Sequence, residues 1–422
     1  MLLASMSDQS PASPLPVVIL IVFLDLLGVG ILIPVIPQLL GNPGSPFYLL
    51  PQGWTVGQGY LLMGLLVTMF PLMQFIASPI LGELSDKFGR KPVLLVSLLG
   101  TALSYALFAF AIVTRHIPLL FFARALDGVT GGNISVAQAA ISDTTRPQDR
   151  AKSFGLIGAA FGMGFVMGPY IGGKLSDPDV VSWFDAATPF WFAALLSLAN
   201  VLFVAARFVE THRTPQADKQ INWRKSAHNI NRAWTLAPLR PLYATTFLLH
   251  SGFTFFTAFF GVFLISRFAY TQGDIGDFFA YLGVWIVFAQ AVVVRRASRR
   301  WDEVTILRVS IVASGLSILL YLAPRVWWGL LLVAPLFAIF QGLTQANLTA
   351  LLSRSASPRI QGEVLGINAS VQALSQVLPP MLAGWIAGGI SPQAPLMVST
   401  ALMVGAGLFF VSAFRPVTSP VE

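Results

Sequence analysis

Twelve apolar stretches, each long enough to cross a bilayer, leave this 422-residue chain very few ways to fold. They run approximately over 16–40, 58–81, 92–113, 118–142, 152–175, 187–208, 241–268, 275–295, 304–324, 327–352, 361–388 and 393–414. A helix of ~20 mostly apolar residues spans the hydrocarbon core. Charged residues make up only 10% of the chain, against about 25% in soluble domains, so water could not solvate such a surface. The expected fold class is an all-α membrane protein with twelve transmembrane helices.

The net charge of +8 would ordinarily raise the question of nucleic acid, but its distribution answers otherwise. With the N-terminus placed inside, the loops and tail assigned to the cytoplasm hold 21 of the 26 Lys and Arg residues. Among them are Lys87, Arg90 and Lys91; Arg146, Arg150 and Lys152; and Arg295, Arg296, Arg299 and Arg300. Arg115, Lys174, Arg267 and Arg325 fall on the other side, and Arg124 lies within a span. This is the positive-inside asymmetry, and it places both termini in the cytoplasm with no nucleic-acid partner implied. No cleavable signal pattern precedes the first span, which is too long for a signal-peptide core and serves as its own insertion signal. The absence of cysteine excludes disulfides, thiol redox chemistry and cysteine-based metal sites.

The two halves repeat one another. Asp127-Gly128-Val129-Thr130-Gly131-Gly132-Asn133 aligns with Gln341-Gly342-Leu343-Thr344-Gln345-Ala346-Asn347 at an offset of 214, and Pro147, Gly155 and Pro169 align with Pro358, Gly366 and Pro380 at 211. Parallel repeats in a hydrophobic chain place a binding site between two halves. The longest polar interval, 209–240, divides residues 1–208 from 241–422 and reads as a cytoplasmic linker between two six-helix bundles. Within it, Trp223 and Trp234 fit a short amphipathic helix on the membrane surface as well as they fit a solvated tether.

The hairpin between the second and third spans reads Gly82-Glu83-Leu84-Ser85-Asp86-Lys87-Phe88-Gly89-Arg90-Lys91-Pro92. Gly82 and Gly89 permit a tight turn, and Asp86 is placed to face the partial positive charge of another helix's N-terminus. The fifth span carries Gly158, Gly162, Gly164, Gly168, Pro169, Gly172 and Gly173. Small residues four apart let helices approach closely in lipid, and Pro169 favours a bend there, whereas the partner span with Pro379 and Pro380 lacks the full ladder.

Taken together these motifs resemble the major facilitator superfamily. Its hairpin pattern G-x-x-x-D-[RK]-x-G-x-[RK]-[RK] is met at Gly82, Asp86, Lys87, Gly89, Arg90 and Lys91. The resemblance implies the major facilitator fold: two pseudo-symmetric six-helix bundles around a central cavity. It also implies that Asp86 acts as a cytoplasmic gate residue near the start of the segment 361–388. Gly164-x-x-x-Gly168-Pro169-x-x-Gly172-Gly173 is similar to the antiporter signature of drug-efflux members. Asp25-x-x-Gly28-x-Gly30-Ile31-x-x-Pro34-Val35-x-Pro37, with Arg124 and Gly128, resembles the tetracycline-efflux branch of drug/proton antiporters. Where that branch has acids in the third and ninth spans, this chain has Ser104 and Ser314; in place of a His in the eighth it offers Gln290, and Asp127 is additional. The resemblance thus implies a proton circuit of its own and leaves tetracycline itself in doubt.

Asp25, Arg124, Asp127 and His250 are ionisable residues inside predicted spans. A charge at the bilayer centre costs ~2.5–3.5 kcal/mol on insertion scales, so each needs a partner or a task. Arg124 and Asp127, three apart, share a helix face. Asp25 follows Pro16 by nine residues, as His250 follows Pro241, which puts them in pseudo-equivalent positions across the cavity. The expectation is that Asp25 and Asp127 exchange protons with Arg124 tuning Asp127, against the alternative of a structural charge pair; for His250 the two readings balance. Asn133, Gln138, Gln290, Gln341, Gln345, Asn347, Asn368, Gln372 and Gln376 are candidates for the cavity lining, with interhelical hydrogen bonding as the competing explanation. The aromatic run Phe253, Phe255, Phe256, Phe259 and Phe260 fits lipid or helix packing better than substrate contact.

No G-x-x-x-x-G-K-[ST] loop is present, which speaks against ATP-driven pumping. The expected activity is export of a small amphipathic molecule in exchange for protons. The alternatives are proton symport or facilitated passage of a sugar or other metabolite, and a non-transporting receptor. No cofactor, metal or enzymatic activity is expected. The expected setting is a monomer in a bacterial inner membrane.

Overall fold

A computed structural model of the chain describes residues 15–145, 150–212, 225–357 and 360–415. Arg146, Pro147, Pro358, both chain ends and the linker stretch with Arg213, Asp218, Lys219, Trp223 and Arg224 lie outside these residues, as do the side chains of Arg150, Lys152, Gly155 and Gly158.

The first half comprises α1 (Leu15–Ile36), α2 (Val56–Phe88), α3 (Arg90–Val113), α4 (Ile117–Thr130), α5 (Ile134–Thr144), α6 (Arg150–Leu175) and α7 (Thr188–Arg207). A short helix α8 (Lys225–Thr235) leads to α9 (Arg240–Phe268), α10 (Gln272–Phe288), α11 (Arg295–Ala297), α12 (Glu303–Leu320), α13 (Trp328–Arg354), α14 (Gln361–Ser375), α15 (Leu378–Gly389) and α16 (Ala394–Ala413). Several starts are written in the sequence. Thr55 with Gln58 and Thr271 with Asp274 close reciprocal capping boxes, and Asp302 accepts from the Thr305 amide.

Among the described residues, nine helices are long and apolar enough to cross a membrane. The three other expected spans are α6 and two that fold as broken helices. In the fourth, Gly131–Asn133 form a 3-10 turn between α4 and α5, whereas the repeat-related α13 runs through Gln345 and Ala346 without interruption. Two consecutive glycines cost about 1 kcal/mol each in a helix interior relative to alanine, which is enough to choose the break. The other break separates α14 from α15, where Pro379 and Pro380 enter the first turn of α15. Two adjacent prolines remove two amide donors and push the preceding residues out of helical geometry. The bend expected at Pro169 is not realised as a break, since α6 continues from Arg150 to Leu175; the sharper interruption falls in its partner.

Helix α2 supplies the side chains that both breaks need. Gln74 Nε2 donates to the Gly131 carbonyl (2.9 Å), and Thr68 Oγ1 donates to the Val377 carbonyl (3.1 Å) of the opposite half. The repeat shows in packing too: Thr101 and Thr130 share a hydroxyl bond of 2.9 Å, and Thr344 donates to Ser310 at 2.9 Å in the second half. Of the aromatic run, Phe255, Phe256, Phe259 and Phe260 are buried in the core. Phe253 stacks on Phe337 and meets Phe165 of α6. Helix α8 docks on α14 through Asn229–Ser370 (3.0 Å) and Arg232–Glu363 (3.0 Å), so this part of the linker is attached to the second half, with Trp234 exposed.

Contacts between the halves concentrate at the end bearing the loops 42–55, 176–187 and 269–271. A Cβ built on Gly57 would lie 2.9 Å from the Gly388 carbonyl oxygen, and one on Gly173 would lie 2.6 Å from that of Gln272. Gln272 donates to the Ser176 carbonyl (3.0 Å), Lys174 pairs with Asp277 (2.9 Å), and Gln38 reaches the Tyr270 carbonyl (3.4 Å). The molecule is closed at one end. Replacing Thr68 by the near-isosteric Val removes the second bond to the Val377 carbonyl, which as N-cap also accepts the first bond of α15; a loss of about 0.5–1.5 kcal/mol is expected, measured as a lowered unfolding midpoint in detergent. An unchanged midpoint would show that the α2 hydroxyl is dispensable at this break.

Candidate functional site

Helix α1 presents two different faces just after Asp25. Leu26, Leu27, Gly30 and Ile31 meet α6: a Cβ on Gly164, Gly168 or Gly172 would lie 2.6 Å from Leu26 Cβ, the Leu27 carbonyl oxygen or the Ile31 carbonyl oxygen. The glycine ladder therefore binds α6 to α1, and only Gly173 continues onto α10 of the other half, at Gly276. Asp25, Gly28 and Leu32 recur at helical spacing on another face. There Gly28 accommodates the Tyr105 hydroxyl, and Leu32 lines a gap shared with Ser104, Tyr105, Arg124 and Asp127.

These residues form one buried cluster. Arg124 Nη1 donates to Asp127 Oδ2 at 2.6 Å, both side chains being 5% exposed. The guanidinium lies 4.4 Å above the Phe70 ring, a cation–π contact inside the core. Asp25 is electrostatically coupled to Asp127, and the Asn133 amide faces it without closing a hydrogen bond. Asp25 Oδ2, both amide atoms of Asn133 and Arg124 Nε are buried and unpartnered. Beside them, the gap lined by Leu32, Ser104, Tyr105, Arg124 and Asp127 is too narrow for a water molecule. Each orphaned polar atom costs about 1–3 kcal/mol. Tyr105 and Phe70 complete the cluster without having been expected in it; their one sequence signal is a polar-tipped or aromatic side chain level with Arg124 on neighbouring spans.

His250 is not part of it. It sits on α9 with Nε2 buried and unpartnered, and no charge contact joins it to Asp25. Asp25 packs with the cluster of its own half, beside Asn133 and Asp127. The uncharged candidates divide. Asn133 is buried in the cluster; Asn347 is buried with its amide bonded to the Leu343 carbonyl (2.7 Å), ordinary intrahelical packing. Gln138 and Gln372 are half-buried, and Gln290 lies exposed in a π-helical turn, Ala289–Val294. Gln376 is exposed and bonds the Gln372 carbonyl (3.2 Å), while Gln341 Oε1 and Asn368 Oδ1 are buried without partners.

The α2–α3 hairpin forms a second cluster. Gly89 has φ 98°, and a Cβ there would stand 2.7 Å from a Glu210 carboxylate oxygen. Glu210, just beyond α7, accepts from the Arg90 and Lys91 amides (2.9 and 3.0 Å) and so caps α3, whose own N-cap is a glycine without a side chain. The carboxylate at a helix N-terminus is thus Glu210. Asp86 sits in the last turn of α2, where the helix dipole is unfavourable, and is compensated by Arg90 at 2.5 Å. Arg90 also pairs with Asp143 (2.9 Å) and bonds Ser85. Lys91 Nζ donates to the Ala205 carbonyl (2.8 Å), Lys87 lies over the Phe88 ring, and Gly82 packs near Ser135. Burial pushes the Glu210 carboxyl up, but the amides of His212, Lys91 and Arg90 outweigh it and hold it below the usual carboxylate range.

A buried ionic cluster within a bundle of apolar helices, beside the boundary where two halves meet, fits a membrane transporter. The comparisons agree. The chain belongs to the Major Facilitator Superfamily, whose model matches residues 18–309 and 287–422. It is 31% identical over 379 residues to the class H tetracycline resistance protein of Pasteurella multocida, covering 88% of each chain. The human organic anion transporter MFSD10 (TETRAN) superposes with a TM-score of 0.71 at 24% identity, over 95% of this chain and 99% of that one. A D-xylose–proton symporter gives a TM-score of 0.74 at 13% identity over 96% and 98%, which shows the shared fold.

Because the Glu210 carboxyl is held low, its stabilisation is fully present above about pH 4.3, the unfolded value, and is lost as pH falls through the folded value below it. Amide-exchange protection at Arg90 and Lys91 is expected to persist at neutral pH and fall on acidification. In Glu210→Gln that acid step should vanish, and Gly89→Ala should weaken protection at every pH. A step that survives in Glu210→Gln would assign it to another group.

Proposed function

We propose that the chain is a proton-driven exporter of small amphipathic molecules. The reading rests above all on Asp25, Arg124 and Asp127 buried together with atoms left unpartnered, since an ionic group in hydrocarbon usually marks an ion pathway. Asp25 is 8% exposed and Asp127 4%, so Asp25 is the outer proton acceptor and Asp127, held by Arg124, the inner one. Both carboxylates are buried, so proton access to them requires the boundary between the halves to open toward α1 and α4. A rocking of the halves about the closed end supplies such a movement.

The positive-inside distribution makes the closed end extracytoplasmic, both termini cytoplasmic and the state inward-facing. Residues 1–208 and 241–422 act as the two moving bodies, joined by the linker 209–240. Asp86, with Gly82, Lys87, Gly89, Arg90 and Lys91, serves as the cytoplasmic gate, which the Arg90 network holds in its present form. His250, Gln341, Gln372, Gln376 and Asn368 offer the uncharged polar groups of the second half to substrate, with Gln138 and Gln290 nearer the open end. Similarity to a tetracycline resistance protein supports a drug-like cargo. Ser104, Ser314 and Gln290, where acids and a His stand in that branch, support a cargo other than tetracycline. The working unit is a monomer in a bacterial inner membrane, with protons and substrate as its partners and no nucleic acid.

In proteoliposomes with an imposed pH gradient, a transported cationic dye should be driven against protons. Asp25→Asn should abolish uphill transport while leaving downhill exchange, a loss of at least tenfold in the gradient-driven rate. Asp127→Asn should do the same with a further fall in thermal stability, since it strands Arg124 at a cost of about 3–5 kcal/mol. Gradient-driven transport that survives Asp25→Asn would remove the proton assignment, and proton uptake together with substrate would make the protein a symporter.

A further inference from the structure

Away from the ionic cluster, the closed end carries an open cleft of about 540 Å3 between the end of α9, the first turns of α10 and the start of α13. That volume suits a drug-sized ligand. Its walls are aromatic, from Phe268, Tyr270, Tyr281 and Trp327, and its polar groups are two carboxylates, Asp274 and Asp277. Tyr281 is fixed by a hydrogen bond from its hydroxyl to the Leu331 carbonyl (3.0 Å), and Trp327 is 57% exposed. The nearby cation Arg267 donates to the Pro324 carbonyl (3.0 Å) and lies 5.8 Å from the Phe268 ring, which leaves Tyr270, Tyr281 and Trp327 as the rings without a resident cation among the described residues. Asp274 uses Oδ2 to cap Thr271, and Asp277 uses Oδ2 to hold Lys174; the other oxygen of each has no hydrogen bond among the described residues. An aromatic belt at the bilayer surface explains the rings. The cap on Thr271 and the bridge to Lys174 each use one oxygen of a carboxylate and leave the charge of both beside the rings.

We infer that this cleft binds an organic ammonium ion, with the cation over the aromatic faces and its charge met by Asp274 and Asp277. Rings within about 6 Å of a cation attract it, and a carboxylate beside them adds charge. The same chemistry is offered by a free quaternary ammonium compound and by an ethanolamine lipid headgroup. Occupancy also has a consequence for the closed end. Asp277 is the partner of Lys174, which comes from α6 of the other half. A cation seated in the cleft competes with Lys174 for Asp277 and loosens one of the bonds joining the halves. The inference does not depend on the direction of transport.

The test uses the full chain in nanodiscs of phosphatidylglycerol alone, titrated with benzyltrimethylammonium and followed by calorimetry. Saturable binding is expected. Trp327→Leu and Asp274→Asn should each weaken it at least tenfold, with unfolding midpoints confirming that the variants are folded. Lys174→Gln should tighten it several-fold by removing the competitor for Asp277, an effect that a merely structural role for the bridge would not produce. Nanodiscs containing phosphatidylethanolamine separate the two sources: weaker apparent binding there assigns the cleft to the lipid headgroup, and equal binding assigns it to the free cation. Absence of saturable binding, or binding indifferent to both Trp327→Leu and Asp274→Asn, would overturn the inference.

Discussion

A backbone amide or carbonyl sunk in hydrocarbon must find its partner inside the protein, and this requirement governs where the helices can break. Two described spans are interrupted, at Gly131–Asn133 and between Ser375 and Leu378. Both interruptions receive a side chain from α2, Gln74 in one case and Thr68 in the other. Helix α2 lies between the broken span of its own half and that of the opposite half. It is consequently more than a wall: it is the element that makes irregular backbone tolerable at two sites. One of those sites belongs to the boundary that has to open for alternating access.

The same requirement explains why glycine is concentrated where it is. In lipid there is no hydrophobic drive to press one helix on another, so contact comes from shape, and shape is best where no Cβ intervenes. The ladder in α6 spends Gly164, Gly168 and Gly172 on α1, within one half, and only Gly173 on the opposite half. Close packing therefore makes a rigid α1–α6 pair that carries Asp25 on its inner side. The contact between halves is left to a few glycine pairs at one end together with exposed polar bonds such as Lys174–Asp277. Exposed ion pairs of this kind contribute about 0–1 kcal/mol, which suits a boundary that separates and reforms.

Composition alone carried the helical membrane fold, and the basic hairpin and the glycine ladder carried the family, because both depend on local spacing. The Arg124–Asp127 pair was legible for the same reason, three residues apart on one helix. What spacing could not convey is orientation across helices. Asp25 and His250 occupy matching places in the repeat, yet the direction in which Asp25 points is decided by Gly28 yielding to Tyr105 and by Gly30 yielding to α6. Likewise the cap on α3 comes from Glu210, about 120 residues away, a partner that local spacing does not reveal. The helix break between α14 and α15 was the less conspicuous in the sequence, because the glycines drew attention to α6 whereas two consecutive prolines interrupt a helix more strongly than one.

The halves thus repeat in packing and differ in charge. The hydroxyl pairs Thr101–Thr130 and Ser310–Thr344 occupy matching helices at the same 2.9 Å distance, and Thr130 and Thr344 are themselves aligned by the repeat. One turn away the correspondence ends, for Asp127 aligns with Gln341 and the Gly131-Gly132 break aligns with unbroken helix. Among the described residues, the first half buries Asp25, Arg124 and Asp127 in mid-span, apart from Glu83 and Arg90 at its hairpin, while the second half offers His250 and orphaned amide oxygens of Gln341 and Asn368. A cleft bounded by such halves has a charged wall and a neutral polar one. A proton gained or lost on the charged wall changes the field across the whole cleft, whereas an amide wall can exchange hydrogen bonds with cargo without changing charge. The two tasks of a coupled transporter need that separation, and a perfectly symmetric duplication could not have provided it.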